Sequence, residues 1–121
     1  MAHGVGRIRR RATFRALSRP DARASRGPVT VVFSRTEEAV NGPIAGYAVG
    51  RRHGGAVRRN RLRRRLREAL RSAGPELAAG AYLVRVRPEA AELDFADLQR
   101  AVEDAARAAC GRTKEPGRTG R

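Results

Sequence analysis

The stretch GYAVGRRHGGAVRRNRLRRRLREALRSAGP, Gly46 to Pro75, decides how this chain folds. From Ala56 onward it reads as a helix. Leu62, Leu66, Ala69, Leu70 and Ala73 recur at i, i+4, i+7, i+8 and i+11, one apolar stripe at the period of an α-helix. Gly74 is expected as a left-handed cap, and Pro75 cannot continue the helix.

At about 100° per residue, Asn60, Arg61, Arg64, Arg67 and Arg71 fall on the side away from that stripe, with Arg63 and Arg65 on its flanks. Only Glu68 offsets them. Like charges three or four apart cost an isolated helix about 0.2–0.5 kcal/mol per pair, and a solvated face normally mixes signs to avoid that repulsion. A helix stacked in this way gains from a polyanion. Arg59 falls on the apolar side by the same geometry, which leaves two placements open: a non-helical first turn, or a reach back over Gly54 and Gly55 to a phosphate.

Working outward, the 121 residues suffice for one domain with one two-layer core. The formal net charge is +15, and it is unevenly spread. Residues 1–75 hold 19 Arg against Asp21, Glu37, Glu38 and Glu68, whereas residues 76–121 balance eight basic against eight acidic residues. A single cysteine, Cys110, permits no intramolecular disulfide and no thiolate cluster, and is expected as a half-buried inert thiol. No run approaches the ~18 apolar residues of a membrane span, and no hydrophobic leader is visible, so a cytoplasmic protein is expected.

Before the central helix, Arg7 to Arg11 form a basic cluster leading into a short helix in which Phe14 and Leu17 share a face; Pro20 ends it. Asp21 to Pro28 reads as a polar turn region. Val29 to Phe33 is a β-branched strand. Ser34 to Pro43 is a loop, with Glu37-Glu38 as a solvated pair, and a second strand follows at Ile44 to Val49. The short connection between these strands suggests an antiparallel pair. After the central helix comes a strand over Ala81 to Arg87, with Tyr82, Val84 and Val86 on its apolar face and Leu83, Arg85 and Arg87 opposite. A last helix runs from Leu93 to Ala109, with Asp94 as N-cap and a stripe of Phe95, Leu98, Val102, Ala105 and Ala109. The pattern alone gives αββαβα, a small α+β sandwich of helices on a sheet.

Catalytic chemistry is sparse. The basic two thirds offers four scattered carboxylates, too few and too separated to hold Mg²⁺ for a nuclease. Acid–base cleavage would rest on His3 and His53, and His53 is expected to contact phosphate or solvent. GRRHGGAV lacks the Gly-Lys-Ser/Thr ending of a phosphate loop, and no zinc spacing or Ser/His/Asp set is present. Binding is better supplied, by two basic sites and by Phe14, Phe33, Tyr47 and Tyr82 as core residues or stacking platforms for unpaired bases.

The central segment resembles the signature of the protein subunit of bacterial ribonuclease P. The resemblance is carried by Arg51, Arg52, Gly54, Ala56, Val57, Arg59, Asn60, Arg61, Arg63, Arg64 and Arg67, with flanking similarity at Arg7 to Leu17 and in AYLVRVRPEA. It implies a single-domain αβββαβα sandwich, of the type of the second domain of ribosomal protein S5, with a left-handed β-α-β crossover. One more strand is then needed, and Arg23 to Ser25 is the place for it. It implies residues 7–110 as the RNA-binding domain, residues 1–6 as a flexible tail and residues 111–121 as a disordered basic tail.

In that enzyme a catalytic RNA with bound Mg²⁺ removes the 5′ leader from precursor tRNA, and the protein contributes no catalytic residue and no metal site of its own. The resemblance therefore implies an endoribonuclease subunit, monomeric and one per RNA, with neither DNA nor membrane as partner. Arg51, Arg52, Arg58, Arg59, Asn60, Arg61, Arg63, Arg64 and Arg67 would bind the catalytic RNA. Arg9, Arg10, Arg11, Phe14, Leu17, Val29, Val31 and Phe33 would line a cleft for the single-stranded leader, between the first helix and the sheet. Leu17 and Val31 depart from the aromatics common there, and His53 and Gly55 are unusual in the loop. The alternative is a structural RNA-binding protein of ribosomal type, which needs no leader cleft; a DNA-binding helix or a stand-alone nuclease fits less of the pattern.

Overall fold

A computed structural model describes residues 4–113. The chain runs β1 (Gly6–Arg7), α1 (Arg11–Ala16), β2 (Ala22–Arg26), β3 (Val29–Ser34), β4 (Pro43–Ala48), α2 (Ala56–Ala73), β5 (Gly80–Val86) and α3 (Phe95–Thr113). After the two-residue β1 the order is αβββαβα. The strands form one mixed sheet in the order β1-β4-β5-β3-β2.

β2 occupies the segment read from sequence as a polar turn, pairing antiparallel with β3 from Ala22↔Phe33 to Arg26↔Val29. It is an edge strand whose only buried residue is Ala24, so it carries no apolar run to announce it. Gly27, at φ +56°, makes its turn into β3. The antiparallel pairing expected between β3 and β4 does not occur. α2 carries the chain from β4 back to a parallel β5, which inserts between them and pairs with β3 antiparallel. β5 takes the sheet centre, where its face under α2 and α3 is fully buried while Leu83 and Arg85 on the other face are half-exposed and exposed.

Alternation assigns the two sheet faces. Ala24, Val29, Val31, Phe33, Ala45, Tyr82, Val84 and Val86 pack in the main core with the α2 stripe of Leu62, Leu66, Ala69, Leu70 and Ala73 and the α3 stripe of Leu98, Val102, Ala105 and Ala109. Phe95, expected in the α3 stripe, is instead 37% exposed at the first turn. Asp94 caps that turn by accepting the Asp97 N–H at 3.0 Å. On the opposite sheet face, Ile8, Leu17, Val32 and Ala81 form a smaller core under α1.

Several local expectations are corrected. Gly74 is right-handed (φ −48°, ψ −48°) and opens a short 3-10 turn through Glu76, so α2 ends by tightening rather than by a left-handed cap. The left-handed glycine of this connection is Gly80, at φ +152°, where a Cβ would overlap the Phe33 ring. Gly6, expected in a flexible tail, pairs with Ile44. Gly111, expected to begin a disordered tail, lies inside α3, while the remainder of that tail from residue 114 lies outside the described residues. Cys110 is buried at 3% exposure.

Glu38 is no solvated loop residue. Its carboxylate accepts the Arg9 N–H at 2.6 Å, the Arg10 N–H at 3.1 Å and the Thr13 hydroxyl at 2.7 Å. Arg10 gives α1 no side-chain cap of its own, so this distant carboxylate supplies it and ties α1 to the loop before β4. The Thr13 hydroxyl, with the two amides and Arg10, holds the Glu38 carboxyl below its ordinary 4.5. A carboxyl depressed in the folded state contributes stability that is complete above the ordinary carboxylate range and is lost as pH falls through the folded value. Wild-type protein should therefore lose protection of the Arg9 and Arg10 amides on acidification below pH 4.5, measured by hydrogen exchange. Glu38→Gln should show weakened protection at neutral pH and little further change; equal acid sensitivity in both proteins would refute the cap.

Candidate nucleic-acid interface

Burial of the α2 stripe sends the helix's arginines outward. Asn60, Arg61, Arg64, Arg67 and Arg71 are exposed, and Arg63 and Arg65 are half-buried at the margins. Arg59 lies inside the helix, its backbone N–H donating to the Gly55 carbonyl at 2.9 Å, and its buried Nε has no partner among the described residues. It is therefore not part of a non-helical first turn.

The flanking pair is structural. Arg63 donates to Asn60 Oδ1 and to the Val49 carbonyl, both at 3.0 Å, and joins α2 to the end of β4. Arg65 donates to the Leu93 carbonyl at 2.5 Å and to the Ala91 carbonyl at 3.4 Å, holding the segment before α3 against α2. The Arg67 guanidinium stands 6.0 Å from the centre of the Tyr47 ring. Burial pushes the Tyr47 hydroxyl up to about 12, against the opposing pull of Arg67 and Arg71, so the ring faces these cations as a neutral phenol.

The side chains of Arg51, Arg52, Arg58, Arg61 and Arg64 make no hydrogen bond or ion pair with any described residue. The arginines of α3 and of the segment after β5 behave differently. Arg107 reaches Glu76, Glu103 and Asp104 at 3.2–3.7 Å, Arg100 reaches Asp97 at 3.4 Å, and Arg87 reaches Glu89 at 3.1 Å. On α2 the sole ion pair among the described residues is Arg71 to Glu68 at 4.0 Å. Most cations of α2 and its leading loop are thus left without carboxylates.

Arg51 and Arg52 sit on a 3-10 turn, Arg51–His53, between β4 and α2. A hollow of about 660 Å³ next to it is lined by both arginines, Tyr47, Ala48, Val49, His53 and Arg85. A shallower hollow of about 250 Å³ shares Arg52 and Arg85 and continues over Arg23, Ser25 and Thr30. One basic surface therefore passes from α2 onto the open face of the sheet. His53 is turned inward, to the Val86 carbonyl at 2.8 Å, rather than to solvent as expected.

The four apolar residues expected to line a cleft are not on it. Leu17 is 1% exposed, and Val29, Val31 and Phe33 are fully buried. β3 is apolar on both faces, so its pattern hides which parity faces which side, and the odd positions point under α2 and α3. The open face carries the even positions instead. Register sets Arg23, Val32, Leu83 and Gly46 in one row and Ser25, Thr30, Arg85 and Ala48 in the next. Phe14, at 45% exposure, stands over this face beside Gly46, where an added Cβ would lie 3.1 Å from its ring. The alternation of Leu83, Arg85 and Arg87 was the available signal for this face. Arg9, Arg10 and Arg11 are exposed at the start of α1. Among the described residues no group of three or more His, Cys, Asp or Glu could hold a metal ion, and no helix is long and apolar enough to cross a membrane.

The family model for ribonuclease P matches residues 4–110. The ribonuclease P protein component of Acidothermus cellulolyticus is 40% identical over 93 residues, covering 76% of this chain and 78% of that protein. That of Thermobifida fusca is 38% identical over 109 residues, covering 84% and 74%. In fold, the ribonuclease P protein of Thermotoga maritima superposes with a TM-score of 0.72 at 23% identity, over 84% of this chain and 96% of that one. A Staphylococcus aureus ribonuclease P protein gives 0.71 at 22%, over 87% and 93%.

The two classes of α2 arginine should separate in solution. Arg65→Met should lower stability by about 1–3 kcal/mol in chemical denaturation, because two backbone carbonyls lose a charged donor. Arg64→Met should stay within about 0.5 kcal/mol of wild type. Equal effects would contradict the assignment of Arg65 as structural.

Proposed function

The chain belongs to the ribonuclease P protein family, and from that premise we propose that it binds the catalytic RNA through α2 and the precursor leader along the open sheet face. Its role is in tRNA processing, as the protein component of a ribonucleoprotein endoribonuclease. The observation that carries the reading is the sorting of arginines: the side chains of Arg51, Arg52, Arg58, Arg61 and Arg64 lack partners among the described residues, whereas Arg100 and Arg107 on α3 are paired with carboxylates. Guanidinium groups bind phosphate bidentately, so this surface suits a folded RNA backbone. Arg51, Arg52, Arg58, Arg61, Arg64 and Arg67 make that contact, with Arg59 and Asn60 beside them, while Arg63 supports α2 from its flank.

The leader lies on the other basic surface. Phe14 offers a ring for stacking, Thr30 and Leu83 form the floor, and Arg85 with the Arg9–Arg11 cluster meets phosphates. This assignment replaces the buried Leu17, Val29, Val31 and Phe33 by the half-exposed Thr30 and Leu83. Hydrolysis belongs to the RNA and its Mg²⁺; the protein holds substrate and RNA in register. One copy per RNA in the cytoplasm is the arrangement that fits.

Two measurements test the two surfaces. Arg61→Glu with Arg64→Glu should abolish stimulation of precursor tRNA cleavage by the ribonuclease P RNA at low Mg²⁺, with helical circular dichroism unchanged. Wild-type affinity for that RNA should fall with salt at a log–log slope of roughly 0.7–0.9 per phosphate contact; full stimulation by the double variant, or a flat salt profile, would refute the α2 interface. Phe14→Ala should weaken binding of a precursor with a leader by about 1–3 kcal/mol per lost stacked base while leaving mature tRNA binding unchanged. Equal losses for both substrates would remove the leader from this face.

A further inference from the structure

The loop between β4 and α2 presents two arginine side chains without protein partners among the described residues, yet it contains three glycines and no apolar anchor, GRRHGG, Gly50 to Gly55. Left to itself such a segment would sample many conformations, and ordering it against a phosphate would subtract from binding. Its order comes from one side chain. His53 donates its backbone N–H to the Gly50 carbonyl at 3.0 Å, while the Gly50 N–H donates back to His53 Nδ1 at 3.3 Å. This reciprocal pair closes the loop on itself. The other ring nitrogen, Nε2, lies 2.8 Å from the Val86 carbonyl, one residue beyond the last β4–β5 pair at Ala48↔Arg85. The loop is thereby fastened to the centre of the sheet.

These contacts fix the tautomer. Nδ1 accepts, so the ring proton is on Nε2, where it donates to the carbonyl. Only the neutral imidazole makes both bonds at once, because protonation would place a hydrogen on Nδ1 facing the Gly50 N–H and break the loop-closing bond, while Nε2–H would still donate to Val86. Its charged surroundings are Arg51 and Arg52 on its own turn, Arg58, Arg61 and Arg65 on α2, Arg85 on β5, and Glu89 and Glu92 in the segment after β5.

We propose that His53 is a positioning residue for RNA binding: as a neutral imidazole it locks the Gly50–Gly55 loop onto the end of β5 and so presets Arg51 and Arg52 for phosphate. The proposal rests on the reading of this chain as an RNA-binding subunit. It also reverses the role expected of a histidine in a basic loop, and the reversal has a sign. A histidine that touches phosphate as a cation binds RNA more tightly as the solution is acidified. A histidine that positions as a neutral acceptor binds it less tightly, because protonation opens the loop.

The test is the affinity of the full-length protein for ribonuclease P RNA between about pH 5 and pH 8, for wild type, His53→Ala and His53→Gln, with thermal melts of each. Wild-type affinity should fall toward the acid end. His53→Ala should bind about tenfold more weakly at pH 8, a change of about 1.4 kcal/mol, and lose the acid-dependent fall. His53→Gln, whose amide can still donate to the Val86 carbonyl, should recover most of the affinity and remain flat with pH. Wild-type binding that rises on acidification, or an alanine variant with wild-type affinity and pH profile, would overturn the proposal and leave the subunit reading intact. Failure of wild-type protein to bind the RNA at any of these pH values would overturn both.

Discussion

The fold depends on burying one narrow apolar stripe. α2 offers the sheet only Leu62, Leu66, Ala69, Leu70 and Ala73, all at 3% exposure or less. Each leucine buried there contributes about 1.5–3 kcal/mol, enough to fix the rotation of the helix about its axis. Once that rotation is fixed, every arginine of the helix has its direction assigned. The same contact determines where the cations go and what they are left to do.

A chain with a net charge of +15 must also limit the cost of its own repulsion. Four acids in the first 75 residues cannot do so by ion pairing, and the structure draws on other acceptors. Arg63 and Arg65 direct their guanidinium groups at the carbonyls of Val49, Ala91 and Leu93, peptide groups at the ends of elements that lack a strand or helix partner there. Two problems are solved by one contact, since unsatisfied carbonyls gain donors and charges gain dipoles. Glu38 works in the converse sense, a single carboxylate that satisfies two amides and a hydroxyl at the start of α1.

What could be read from the sequence divides along the same physical line. The α2 stripe, the faces of β5 and the Asp94 cap were legible because each rests on a local period or a local hydrogen bond. β2 was not, because an edge strand with one buried residue has no need of an apolar pattern. The parity of β3 was hidden because VTVVF is covered on both sides; its odd positions face α2 and α3, while Val32 faces α1. The order β4-β5-β3 depends on a crossover, and no short-range signal distinguishes neighbouring strands from strands with a third inserted between them. The roles of Glu38, Arg65 and His53 each depend on backbone groups 25 or more residues away in sequence.

The open face of the sheet follows from these long-range contacts. α1 is six residues long and covers one end of that face, with Leu17 as its buried anchor. A longer helix would seal the sheet, and an untethered one of this length would fray, since isolated helices below ~12–15 residues are marginal in water. Glu38 makes the short helix sufficient by fixing its first turn from outside. Thr30 and Leu83 are thereby left half-exposed and Arg85 exposed, beside an exposed Phe14. An apolar floor edged with guanidinium groups persists in a small domain only where full coverage has been forgone. The tether on α1 and the rotation of α2 together leave two basic surfaces on one rigid body, joined through Arg52 and Arg85. Their separation is fixed by the sheet rather than by a linker, so groups bound on the two surfaces would be held at a constant distance and angle.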